Sequence, residues 1–250
     1  MRIARVQSSE GPVEVAFDAE QSLWVERNPR SDSPFTVAHD DAAFCAPCEP
    51  LVVVGIAHNP VSSGKQAIQA WFKSPRTVVP NGAKAHLRAG IGALAVEAEI
   101  AVVISKSTRG LTEENAHEYV LGVTAVNDVS NVDRTAFDER NFEGKGGEGY
   151  TPLGPWIDTE LSLENLDLKL EIDGEVVAHT NAAELPSSIA ACLAYIARWI
   201  ELDAGDVVMT GAPFTNRPIL PGQVASVIIG EQMRLDTPCV EESPAEWARP

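Results

Sequence analysis

The sequence is short of positive charge. Lysine and arginine number 19 against 36 aspartates and glutamates, a formal net charge of −17 over 250 residues. No basic run exceeds two residues, and a nucleic-acid backbone needs clustered Lys and Arg, so nucleic acid is excluded as a partner. The same shortage argues against binding at an anionic membrane surface. No apolar stretch approaches the roughly 18 residues of a membrane span. The N-terminus, MRIARVQSSEGPVEV, lacks the apolar centre of a signal peptide, so the expected location is the cytoplasm. Cysteine is sparse, at four residues, which excludes a disulfide scaffold. Cys45 and Cys48 form one CxxC, but no second CxxC or HxxxH supplies the remaining ligands of a zinc site, so they read as ordinary loop cysteines.

What is present is a globular balance: 44% hydrophobic and 22% charged residues, spread along the chain. Alternating segments at Arg2–Val6 and Val13–Phe17 predict strands joined by a turn, with loop at 27–34. Pro47 and Pro50 mark a boundary between a small N-terminal β-rich domain, residues 1–50, and a larger domain, residues 51–250. Leu51–Ile56 is a continuous apolar run and predicts a buried strand; residues 58–70 read as polar and irregular. A helix is predicted from Thr112, a strand over GVTAVND, and a polar glycine-rich loop over 131–150 that lacks the phosphate-loop spacing. Asp173-Gly174 predicts a hairpin, and Ser187 or Ser188 caps a helix running to about Leu202. The expected class is mainly β with a few helices, α+β.

The chemistry concentrates in LAVEAEIAVVIS. On a strand, Val96, Ala98, Ile100, Val102 and Ile104 share one face; Glu97, Glu99, Ala101 and Val103 share the other. Two adjacent carboxylates on an apolar strand repel one another and lose hydration if buried. A hard divalent cation relieves both penalties. Asp128, ending another strand, is the third ligand candidate. The same spacing also fits a strand face turned to water.

These segments resemble the fumarylacetoacetate hydrolase superfamily. EAEIAVVISK, residues 97–106, resembles its E-x-E-L-x-V-V-I-G-K strand, and VLGVTAVNDVS, 120–130, its V-x-G-x-T-x-x-N-D-x-T segment. GKGGEGYTPLGPWI, LEIDGEVV, LDAGDVVMTGAP and LPGQVASVIIG follow in family order, so the resemblance covers about residues 51–240. It implies a β-roll core, a homodimer, and Mg²⁺ or Mn²⁺ held by Glu97, Glu99 and Asp128. It also implies a 2-oxo carboxylate substrate whose chelation polarises the ketone and stabilises an enolate.

The departures are specific. The superfamily's hydrolases carry a His-x-x-Glu pair that activates water; GIAHNPVSSGKQ has none, and leaves His58 as the candidate base. The substrate-side arginine of N-D-x-T-x-R is missing, with Arg134 two residues further on. Thr210 and Gly211 remain as substrate-binding candidates in a Thr-Gly-Ala-Pro that has lost one hydroxyl. Lys145 matches the superfamily's lysine and is expected to neutralise a substrate carboxylate or an enolate. Arg217 is a second anion candidate. Lys73, in WFKSP, lies near the superfamily's F-x-K lysine but one residue out of step. HTNAAEL and WFKSPRTV resemble the isomerase/decarboxylase branch, which also lacks the His–Glu pair. The expected reaction is decarboxylation or isomerisation of a conjugated 2-oxo or 2-hydroxy-enoate di- or tricarboxylate. A C–C hydrolase with its base elsewhere, and a silent homologue acting as a partner subunit, stand as alternatives.

Overall fold

The structure, a computed structural model, describes residues 1–29, 32–60 and 66–243, without the side chains of 58–60, 66 and 67. In chain order the strands are β1 Arg2–Ser8, β2 Gly11–Asp18, β3 Leu23–Glu26, β4 Thr36–Ala38, β5 Val53–Pro60, β6 Gln66–Lys73, β7 Val78–Val79, β8 Ala85–Arg88, β9 Leu94–Val96 and β10 Ala98–Ile104. They continue as β11 Val120–Asn127, β12 Ser130–Asn131, β13 Thr151–Asp158, β14 Asp167–Ile172, β15 Glu175–Asn181, β16 Val207–Met209, β17 Arg217–Ile219, β18 Val224–Ile229 and β19 Met233–Glu242. Among the described residues three short α-helices lie between them: α1 Val132–Thr135, α2 Phe142–Lys145 and α3 Ile189–Ala197. The expected mainly-β class with a few helices is what the chain adopts.

The large sheet runs β4-β3-β2-β1-β13-β11-β10-β16-β5-β6, with β7 added alongside β13. A five-stranded sheet, β15-β14-β18-β19-β8, and a three-stranded one, β12-β9-β17, complete the roll. The strands of residues 1–50 continue the large sheet, because β1 pairs antiparallel with β13. Trp24 sits in this junction, within a cluster of rings from Phe17, His39, Phe44 and Trp156.

β10 organises the centre. Its alternation splits the interior in two, as the sequence pattern predicts. Val96, Ala98, Ile100, Val102 and Ile104 pack into the main core. Ala101 and Val103 pack into a second, smaller core with Val53, Val126, Leu153 and Met209. Each such valine, leucine, isoleucine or methionine side chain contributes about 1.5–3 kcal/mol by leaving water. With both faces covered, the strand reads as a nearly unbroken apolar run, and a carboxylate on it is conspicuous.

Two segments differ from the sequence reading. Residues 58–60 and 66–70 are not irregular: β5 and β6 pair antiparallel, in a register that runs from Val53 opposite Lys73 to Pro60 opposite Gln66, while residues 61–65 lie outside the described part. The pair's polar residues are compatible with strand because β6 is the sheet's edge. The helix expected from Thr112 is reduced to a single 3₁₀ turn, Ala116–Tyr119. There the Asn115 side chain accepts from the Thr112 amide and donates to the Gly110 carbonyl, holding the backbone out of helix. By contrast, Ser188 caps α3 as expected, accepting from the Ala191 amide at 3.1 Å. α3 ends at Ala197, short of Leu202. Asp173 and Gly174 both take positive φ, as a tight hairpin turn requires. The four cysteines are free thiols, and burial pushes that of Cys48 up to about 12. Among the described residues no helix is long and apolar enough to cross a membrane.

Candidate active site

The site forms where β10, β11 and the loop after β16 converge. Asn127 ends β11 opposite Ala98, so Asp128 leaves the sheet beside the start of β10. The Asp128 amide donates to the Glu97 carbonyl at 2.9 Å, and the Glu97 amide donates to Asn127 Oδ1 at 3.1 Å. These two bonds clip the carboxylate-bearing segments together. Glu97, Glu99 and Asp128 then present one oxygen each within 4.8 Å of one another. Glu99 and Asp128 are buried and Glu97 is half-buried.

The loop between β16 and β17 grips both glutamates from the other side. The Gly211 amide donates to Glu99 Oε2 at 2.9 Å, and Asn216 Nδ2 donates to Glu97 Oε1 at 2.9 Å. Thr210 and Thr215 anchor the loop by donating to the carbonyls of Ile100 and Ala98. Gly211 takes φ +94°, a left-handed conformation open to glycine, which aims its amide at Glu99.

Two lysines complete the cluster. Lys145 Nζ lies 2.5 Å from Asp128 Oδ2 and 3.1 Å from Glu97 Oε2. Lys73 is fully buried and donates to Asp128 Oδ1, to the Val129 carbonyl at 3.2 Å and to the Tyr150 carbonyl at 2.5 Å. An ammonium has three donors, and these acceptors use all of them. The Trp71 ring stands 5.2 Å from Lys145 Nζ, and its indole rests on Gly55, where a Cβ would fall 2.5 Å from the ring.

The electrostatics follow from this arrangement. Burial, and then Asp128 and Glu97, push the Glu99 carboxyl well above the ordinary carboxylate range. Burial acts the same way on Asp128, but Lys145 and Lys73 outweigh it and hold that carboxyl below its usual value. Burial pulls Lys73 down against the attraction of Asp128. Burial also opposes the charge on Lys145, but Asp128 and Glu97 overcome it and raise its pKa, so Lys145 is a firm cation.

Three clustered carboxylates offer a donor set made only of hard oxygens, which suits Mg²⁺ or Mn²⁺ rather than a soft metal. The buried Glu99, repelled by both neighbouring acids, identifies an excess of negative charge that a divalent cation would offset. The residues therefore fit a resident divalent cation.

Of the residues singled out from sequence, Glu97, Glu99, Asp128 and Lys145 come together. Thr210 and Gly211 border the same cluster, their polar groups turned to Ile100 and Glu99. Arg217 donates to the carbonyls of Val177, Phe214 and Asn216. Arg134 donates to the Ile91 carbonyl and lies 3.6 Å from Glu143. His58 lies on β5 opposite Ile68, and its side chain falls outside the described part. Lys73 proves central, although its motif is out of step. Asn216 was not anticipated; its only sequence signal is its place shortly after Thr-Gly-Ala-Pro.

The sequence profile described as Fumarylacetoacetate (FAA) hydrolase C-terminal matches residues 42–240. A protein of Mycobacterium tuberculosis is 27% identical over 263 residues, covering 97% of this chain and 99% of its own length. The 4-hydroxyphenylacetate degradation bifunctional isomerase/decarboxylase of Salmonella dublin is 31% identical over 186 residues, covering 73% of this chain. That match spans 39% of the Salmonella protein, so this chain accounts for about two fifths of its length. Among solved structures, the 5-carboxymethyl-2-hydroxymuconate delta-isomerase from Mycobacterium smegmatis superposes with a TM-score of 0.88. The two are 25% identical, over 97% of this chain and 100% of that one.

Proposed function

The chain belongs to the fumarylacetoacetate hydrolase family, and on that premise we propose that it is a divalent-cation-dependent enzyme acting on conjugated 2-oxo or 2-hydroxy-enoate acids. Its reaction is decarboxylation or double-bond isomerisation. The observation that carries this reading is the convergence of Glu97, Glu99 and Asp128 on one point, with Lys145 beside them.

Glu97, Glu99 and Asp128 would hold Mg²⁺ or Mn²⁺, which supplies Lewis-acid polarisation of the 2-oxo group when bound. The protein's own groups do the rest. Gly211 and Asn216 fix the two glutamates from behind, and Lys73 fixes Asp128, so three carboxylates keep one geometry during turnover. Lys145, a cation by virtue of its acidic neighbours, attracts the substrate carboxylate and stabilises negative charge as the enolate develops. It acts as a fixed positive charge beside the reacting carbonyl. His58, on β5, is the proton shuttle of this scheme. Neither reaction requires an activated water, which accords with the missing His-x-x-Glu pair.

The reaction is tested with a panel of 2-oxo acids and Mg²⁺ in ¹⁸O-water, followed by mass spectrometry against a chelator control. Chelator-sensitive loss of carbon dioxide, or a shifted double bond, without label uptake is the expected result. Cleavage into two acids with label in one would instead make the protein a C–C hydrolase. Inactivity on the whole panel, with no cation binding, would favour a silent partner subunit.

The homodimer implied by the family resemblance is proposed as well. β6 is the edge of the large sheet, and beside it Phe72 and Trp199 are 66% and 77% exposed, around a groove also lined by Ile200. Exposed apolar side chains along a sheet edge invite a partner. Sedimentation should give about twice the 26.8 kDa chain mass. Phe72→Glu with Trp199→Glu should return it to the monomer; a wild-type monomer would remove this element of the proposal.

A further inference from the structure

Four phenylalanines are prominently exposed among the described residues, and three of them, Phe137, Phe142 and Phe214, lie on the two segments that carry Lys145 and the glutamate-gripping loop. Phe142 is 83% exposed and opens α2, three residues before Lys145. Residues so spaced on a helix are neighbours, about 5–6 Å apart. Phe214 is 76% exposed and lies between Gly211, which holds Glu99, and Asn216, which holds Glu97. Two peptide units limit its Cα to within about 8 Å of that of Asn216.

Phe214 is also held in an unusual conformation. Its φ is +65°, in the left-handed region that costs a β-carbon-bearing residue energy. The Phe214 amide donates to the Ala212 carbonyl at 2.9 Å, and Arg217 Nη1 donates to the Phe214 carbonyl at 3.3 Å. The arginine therefore secures the turn that carries this exposed ring, two residues before the Asn216 that holds Glu97. Strained backbone and an exposed aromatic ring, both next to a catalytic centre, mark a contact surface for a ligand.

The charges around the centre define what that ligand is. With all three carboxylates ionised, Lys73 and Lys145 leave one negative charge. A divalent cation turns this to one positive, which a single substrate carboxylate balances. Arg217 and Arg134, the cations singled out from sequence for further carboxylates, are each held by backbone carbonyls through part of the guanidinium, and Arg134 also lies 3.6 Å from Glu143. We propose that Phe142 and Phe214 receive the far end of the substrate, and that this end is aromatic or aliphatic rather than a carboxylate. This narrows the substrate class within the enolising activity proposed above and rests on that reading.

The test uses the full-length, Mg²⁺-loaded protein. Values of kcat/KM are compared for 2-oxo acids of similar length ending in phenyl, alkyl or carboxylate groups, for the wild type and for Phe142→Ser and Phe214→Ser. Both rings are exposed, so the variants should fold, and Tm verifies this. The wild type should favour the phenyl-ended acid over the carboxylate-ended one by at least roughly tenfold, and each serine variant should lower that ratio several-fold. A preference for the carboxylate end, or a ratio unmoved by both substitutions, overturns the assignment. Manganese electron paramagnetic resonance on the same samples separates the two failures. An acid-dependent Mn²⁺ spectrum with an unmoved ratio defeats the tail assignment alone; no Mn²⁺ binding and no turnover of any acid defeats the activity and the tail assignment together.

Discussion

Asp128→Asn is expected to weaken Mg²⁺ or Mn²⁺ binding by roughly 100-fold or more, exceeding the usual cost of losing an outer-sphere partner. It should lower kcat/KM by about 10³-fold, equivalent to about 4 kcal/mol of lost transition-state stabilisation. The fold should survive with a lowered Tm: the asparagine oxygen can accept from one of the two lysines, its NH2 group faces the other, and the main-chain amide of residue 128 still donates to the Glu97 carbonyl. Glu99→Gln should have a similar effect on the cation with less effect on stability, since it removes an acid that its neighbours already repel. Titration calorimetry measures the first effect and steady-state kinetics the second. Normal cation affinity in both variants would remove the carboxylate cluster from the mechanism.

The same arrangement sets the sign of the pH response. The folded-state pKa of Glu99 lies above its unfolded value. Its contribution to stability is therefore present below the unfolded pKa and is lost as pH rises through the folded one. A divalent cation favours the ionised form, so its binding expels a proton wherever Glu99 is still protonated. Affinity should accordingly rise with pH above the ordinary glutamate value. The binding heat of the metal-free protein should change with the ionisation enthalpy of the buffer, and should lose part of that dependence in Glu99→Gln.

The parts of the site legible in the sequence were those governed by a local repeat. Glu97 and Glu99 stand out because strand alternation is a two-residue rule, and β10 obeys it on both faces. Asp128 follows from the polar end of an otherwise apolar strand. Asn216 and Thr215 were hidden because they act through a loop whose conformation depends on Phe214 taking positive φ, which its side chain gives no reason to expect. The continuity of β1–β4 with the large sheet was hidden for another reason. It rests on pairing Arg2 with Asp158 across most of the chain, and no local pattern encodes that pairing. The 3₁₀ turn at Ala116–Tyr119 shows a third kind of failure. Acidic residues favoured a helix N-terminus at Thr112, but the Asn115 side chain offered the backbone a competing set of bonds.

Lys73 was undervalued by motif spacing and should prove the most sensitive lysine for stability. Its side chain is completely buried and ties β6 to Asp128, to Val129 and to the residue preceding β13. Lys73→Met replaces it with a side chain of similar length but no donors. The Val129 carbonyl and one carboxylate oxygen then lose the ammonium donor, and the Tyr150 carbonyl keeps only the Val129 amide. Breaking one side of a buried ion pair costs about 3–5 kcal/mol; Lys145 still holds the other oxygen of Asp128, so about 3 kcal/mol is expected. For a chain of this size that lowers Tm by roughly 6–12 °C. The origin of the loss can be isolated by repeating the substitution in Asp128→Asn. If the ion pair dominates, Lys73→Met should cost less in that background, with a coupling of about 1–3 kcal/mol in denaturant titrations. Strict additivity would instead assign the loss to the Val129 and Tyr150 carbonyls. Lys73 would then be a clamp between β6 and β13, with no direct part in holding Asp128.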